Sequence, residues 1–137
     1  MKTRMSEWFG VLAIALIVAL SMSACDKSGG ASVTLRETDT GRTIELKRGD
    51  TLIVELKGNP TTGFTWEVAS VDASILKQEG DYEFEADKPG VPGSGGTFTF
   101  TFGAEGAGQT ELQMVYHQAW DKETPPSKTF EVTVMVE

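Results

Sequence analysis

Residues 96–102 read GTFTFTF, alternating phenylalanine with threonine without a break. In an extended chain successive side chains point to opposite faces, so Phe98, Phe100 and Phe102 share one face and Thr97, Thr99 and Thr101 the other. A helix would scatter the three rings around its circumference. The segment predicts a strand with one face in a core.

The same pattern runs outward in both directions. Upstream lie SVTLRE (32–37), RTIELK (42–47), TLIVELK (51–57), FTWEVAS (64–70) and YEFEA (82–86); downstream lie TELQMVYH (110–117) and KTFEVTVMV (128–136). Most alternate at period two, as half-buried antiparallel strands do. The joints are rich in Gly, Pro, Asp and Asn: KRGD, GNPTTG, KPGVPGSGG, GAEGAG and DKETPPS. Only residues 71–78 have room for a helical turn. The expected fold is all-β, an immunoglobulin-like antiparallel β-sandwich of seven to eight strands, with a closed barrel as the alternative. In such a sandwich Trp66 is a core residue. Arg48-Gly49-Asp50 reads as a hairpin turn rather than a recognition tripeptide, because Gly and Asp supply turn chemistry.

The first 24 residues are set apart from this domain. Lys2 and Arg4 precede an apolar run from Phe9 to Leu20, and small residues follow up to Cys25. A bilayer span needs about 20 apolar residues, so the shorter run reads as an export signal. Met22-Ser23-Ala24-Cys25 resembles the lipobox of bacterial lipoproteins, with Met22 in the place usually held by Leu. That resemblance implies that Cys25 carries lipid and becomes the mature N-terminus, anchoring the protein to the membrane of the cell envelope. Asp26 implies retention at the periplasmic face of the inner membrane, by the sorting rule of enteric-type lipoproteins. Residues 25–31 then form a lipidated end and flexible tether, and residues 32–137 the domain.

The chain has 137 residues and a formal charge of −8. Residues 1–24 carry a net +1, so their removal leaves −9. Nucleic acid is excluded as a partner, because such binding draws on Lys and Arg that neutralise phosphates. The single histidine, His117, and single cysteine leave little for catalysis or zinc, and nothing resembles a nucleophile elbow. Asp81, Glu83 and Glu85 alternate with Tyr82 and Phe84 as the solvent face of a strand does, and suggest no metal site. No cofactor is expected, and the domain is expected to act as a monomer.

Three loops are suited to contact. In Asn59-Pro60-Thr61-Thr62-Gly63, the proline fixes its own φ and biases Asn59 toward an extended backbone, while Gly63 permits a positive φ. A stiff contact tip and an ordinary turn fit that local chemistry equally. Phe64, at the start of the next strand, is placed to anchor the loop from below. The glycines of residues 90–96 let a backbone approach another surface closely, and a flexible connection explains them as well. His117-Gln118-Ala119-Trp120-Asp121 places an aromatic residue where a strand pattern ends.

These features in this order resemble the chagasin-type inhibitors of papain-like cysteine proteases: Asn59 to Phe64 without a gap, then Gly93-Ser94-Gly95-Gly96, then Tyr116 and Trp120. The resemblance covers residues 32–137. It implies a reversible, competitive inhibitor in which three loops form a wedge. Thr61, Thr62 and Gly63 would occupy the protease cleft, Gly93 to Gly96 would lie along one wall, and Trp120 would pack on the other. Where the family usually has Arg-Pro-Trp, this chain has Gln118-Ala119-Trp120. A membrane-tethered binding or scaffolding lipoprotein without inhibitory activity is the alternative.

Overall fold

In the computed structural model, residues 29–137 are described. The export signal, Cys25 and the first part of the tether lie outside them. Among the described residues nine strands follow one another: β1 Ser32–Arg36, β2 Thr43–Leu46, β3 Thr51–Gly58, β4 Phe64–Ser70, β5 Leu76–Gln78, β6 Glu83–Ala86, β7 Gly96–Ala104, β8 Gly108–Gln118 and β9 Lys128–Val136. One sheet has the order β1-β3-β7-β5, with β6 also on β7, and the other the order β2-β9-β8-β4. The result is a sandwich of two sheets.

The count exceeds the expected seven to eight because residues 71–78, read as room for a helical turn, contain β5. Strands β5 and β6 are two pieces of one interrupted edge along β7. Gln78 pairs with Phe102 and Glu83 with Thr99, and the chain turns between them at Gly80, whose φ is +68°. Two pairings are parallel rather than antiparallel, β1 with β3 and β2 with β9. Each partner is reached through a long excursion of chain, as parallel pairing requires. Arg48-Gly49-Asp50 is also not a hairpin, since it carries the chain from β2 in one sheet to β3 in the other. The Asp50 carboxylate is engaged there, accepting from the backbone N–H of Lys47 (2.8 Å) and of Ala31 (2.9 Å).

The core follows the alternation. Phe98, Phe100 and Phe102 of β7 are buried, facing Leu52, Val54 and Leu56 of β3 along the ladder and, from the opposite sheet, Leu112, Met114, Phe130, Val132 and Val134. Each such side chain withdrawn from water contributes about 1.5 to 3 kcal/mol before conformational entropy is counted. Glu83 and Glu85 of β6 are exposed, while Tyr82, just before the strand, and Phe84 lean on Phe98 and Phe100 with ring centroids 5.0–5.4 Å apart.

The ladders also set the ends of the sandwich. Gly58 is opposite Gly96, and Phe64 opposite Gln118. The β3–β4, β6–β7 and β8–β9 connections therefore emerge together at one end. Ala31 sits at the other end, held by Asp50 and by the Thr51 N–H (2.8 Å).

Candidate functional site: three loops at one end of the sandwich

The central loop is built around Asn59. Its backbone is extended (φ −135°, ψ 98°), as the following proline dictates. Pro60–Thr62 then form a single 3₁₀ turn with Pro60 in its first position, and Gly63 closes it at φ +82°. The side-chain Oδ1 of Asn59 accepts from the Thr61 N–H (3.1 Å) and from the Thr61 hydroxyl (2.6 Å). The Thr62 hydroxyl donates to the Asn59 carbonyl (2.6 Å). Both threonine hydroxyl protons thus serve the loop itself, and both residues are exposed.

Two contacts hold the base of this loop. The Trp66 indole Nε1–H of β4 donates across to the Lys57 carbonyl of β3 (3.0 Å). The Asn59 N–H donates to the Tyr116 hydroxyl (2.8 Å). The Tyr116 ring packs on both Phe64 (5.3 Å) and Trp66 (5.2 Å), so Phe64 contacts the side chain whose hydroxyl holds the loop.

The second loop is ordered by tandem turns. Lys88-Pro89-Gly90-Val91 is closed by Val91 N–H to Lys88 O (3.2 Å), and Val91-Pro92-Gly93-Ser94 by Ser94 N–H to Val91 O (3.2 Å). With Pro second and Gly third at φ +80° and +77°, both match type II turns. The Ser94 hydroxyl also accepts from the Lys88 N–H (3.2 Å). The side-chain Nδ2 of Asn59 donates to the Gly93 carbonyl (3.1 Å), joining this loop to the first. Gly96 is set back from the exposed part of the loop. It is buried as the first residue of β7, where a side chain would run into the backbone of β6.

The third loop begins at Gln118, half-buried at the end of β8, and leads to the exposed Ala119 and Trp120. Asp121 fixes the chain beyond the indole: its Oδ2 accepts from the Thr124 hydroxyl (2.6 Å), and its Oδ1 from the backbone N–H groups of Thr124 (3.0 Å) and Glu123 (3.2 Å). Trp120 is 72% exposed. Its six-membered ring nevertheless lies on Gly63, where a Cβ would fall within the indole. A notch of about 150 Å³ remains beside this loop, lined in part by Phe64, Gln118 and Asp121. His117 belongs to the sheet, its Nε2 hydrogen-bonded to Glu67 Oε2 (2.6 Å).

The hydroxyl and amide donors of Thr124 hold the Asp121 carboxyl below its ordinary value of 3.8. A depressed carboxylate pKa adds order above the ordinary value and loses it as pH falls through the folded one. Acidification below pH 3.8 is therefore expected to loosen this loop. Trp120 fluorescence should report the step, with Asp121→Ala lacking it; an unchanged acid transition in that variant would remove Asp121 as the cause.

A model of the family described as "Chagasin family peptidase inhibitor I42" matches residues 45–134. The chain belongs to that family. Chagasin-family relatives include amoebiasin-1 of Entamoeba histolytica, 30% identical over 88 residues, which make up 64% of this chain and 84% of that one. Chagasin of Trypanosoma cruzi is 30% identical over 97 residues, 67% of this chain and 86% of its own. The crystal structure of the cysteine protease inhibitor EhICP2 from Entamoeba histolytica aligns with a TM-score of 0.70, covering 78% of this chain and 96% of that one at 20% identity. At that identity the likeness concerns the fold. Family membership makes the chain a peptidase inhibitor and not an enzyme.

Sequence reading singled out the three loops but not what joins them. The Asn59 side chain, the Tyr116 hydroxyl and the Asp121 carboxylate were missed as organisers. Asn before Pro-Thr is a recognisable side-chain turn signal, and the repeated Pro-Gly of KPGVPGS signals tandem turns. The partners of Tyr116 have no local signal.

Proposed function

We propose that the chain is a reversible, competitive inhibitor of papain-like cysteine proteases, with Thr61, Thr62 and Gly63 inserted in the catalytic cleft. The observation that carries this reading is the internally bonded turn at Pro60–Thr62, closed by Gly63 in the left-handed region. Hydrolysis needs a carbonyl carbon held within about 3 to 3.5 Å of the nucleophile in attacking geometry. A peptide bent into a 3₁₀ turn and braced from both sides does not lie along a cleft as an extended substrate does. It blocks the cleft without being cut, and because it is ordered beforehand it loses little entropy on binding.

The second loop, through Gly93, Ser94 and Gly95, and the third, through Gln118, Ala119 and Trp120, flank this tip and would grip the cleft walls. Together the three loops would form an interface of standard size, about 1,600 Å² in total. The chain would be exported with residues 1–24 removed, lipidated at Cys25, tethered through residues 25–31 and held at the periplasmic face of the inner membrane. The apolar run and Met22-Ser23-Ala24-Cys25-Asp26 support that location.

Residues 26–137 contain the whole two-sheet core and are the form to titrate against several papain-like proteases. Competitive inhibition that reverses on dilution is expected; a folded sample that inhibits none at micromolar concentration would favour a binding lipoprotein instead. Gln118→Arg with Ala119→Pro should tighten inhibition. An arginine adds charged hydrogen bonds worth about 1.5 to 3 kcal/mol, and a proline stiffens the approach to Trp120. Unchanged or weaker inhibition would refute this account of the third loop.

A further inference from the structure

Trp120 has two faces with different surroundings. One lies on Gly63 so closely that no side chain fits between them, yet the residue as a whole is 72% exposed. Gly63 is the residue that ends the Pro60–Thr62 turn, its N–H donating to the Pro60 carbonyl (3.0 Å). On the other flank, Asn59 Nδ2 reaches the Gly93 carbonyl (3.1 Å). The central loop is thus held from both neighbours, by a hydrogen bond on one side and an indole on the other.

We infer that Trp120 is a positioning residue for the tip, holding the Gly63 end of the turn in its binding shape before any protease arrives. This inference rests on the reading of the loop as the inhibitory tip. The stacked face covers the backbone at Gly63, resists opening of the turn, and fixes the spacing between the first and third loops. The open face remains for the partner. Asp121, next in sequence, anchors the loop from which the indole projects through its bonds to Thr124 and Glu123.

A residue that only touches the enzyme affects the free inhibitor little, and its loss is expected mainly in the dissociation rate. A residue that orders the tip changes the free protein, and its loss slows productive association. The test begins without any protease, on residues 26–137 in solution. The ring current of Trp120 should displace the Gly63 α-proton resonances, and Trp120→Ala should abolish that displacement. The same variant should raise amide exchange at Thr62 and Gly63 by about 5-fold or more, with core amides unchanged. Trp120→Phe, which keeps a flat ring, should restore part of both. Against a papain-like protease, Trp120→Ala should lower the association rate by about 5-fold or more as well as hastening dissociation.

Unshifted Gly63 resonances in the parent protein, or unchanged exchange in Trp120→Ala, would overturn the inference whatever the inhibition data show. Altered exchange with a loss confined to dissociation would overturn it too, since tip order would then not govern binding. Failure of the parent protein to inhibit any papain-like protease is a separate result, and it strikes the functional reading rather than the stacking.

Discussion

Gly63→Val is expected to raise the inhibition constant for a papain-like protease by at least about 100-fold, equivalent to about 2.7 kcal/mol, while the sandwich remains folded. Two causes act at one atom. Gly63 holds φ +82°, a region that a β-branched residue strongly resists. The new side chain would also occupy the place of the Trp120 ring. Either the turn opens or the indole is expelled, and the wedge loses its shape in both cases. Because Gly63 lies outside the core, circular dichroism should keep the strand signal of the sandwich, and the loss in urea unfolding should be that of a strained loop position rather than of a core defect. Gly41→Val is the matched control: it imposes the same kind of strain at φ +84°, with no atom nearby to collide with, on a segment outside the three loops. Retention of inhibition within about 5-fold by Gly63→Val would show that the tip is not where binding is decided.

Trp66→Ala should cost about 3 to 5 kcal/mol of folding stability, the range for deleting a buried large aromatic side chain. That is a large part of the 5 to 15 kcal/mol that typically holds a domain together. Trp66 is 1% exposed, packs against Tyr116, and donates its indole N–H to Lys57 in the opposite sheet. The variant would lose the packing, leave a cavity, and deprive a carbonyl of a donor at the root of the central loop. Urea unfolding followed by circular dichroism measures the loss, and Trp66→Phe should recover the larger part by refilling the space. A destabilisation below about 1 kcal/mol in Trp66→Ala would mean that the two sheets are not joined there as described.

The alternation in GTFTFTF and its neighbours was enough to reveal a sandwich and to place Phe98, Phe100, Phe102 and Trp66 inside it. Period two says which face of a strand is buried, but not which strand lies beside it. The parallel partners of β1 and β2 were therefore invisible, as was the crossing between sheets at Arg48–Asp50. The interrupted edge of β5 and β6 was hidden for a related reason. Leu76–Gln78 is too short to show a period, and its pairing to β7 depends on residues far along the chain. In the loops, the stiffening by Pro60 and the need for glycine at position 63 were legible because they are local. The Gly63–Trp120 stack and the bond from Asn59 to Tyr116 span 57 residues of sequence each, and no neighbouring residue announces them.

The two ends of the sandwich have one more consequence. Ala31 enters the fold at the pole opposite the three loops. If the chain is anchored as proposed, the length of the sandwich, along strands of roughly 30 Å, stands between the attachment and the tip. Under that proposal the tip would lie on the side of the domain away from its point of attachment. Such a guard would sweep a thin layer of the compartment. Proteases that enter this layer would meet the tip head-on, and those beyond its reach would pass untouched.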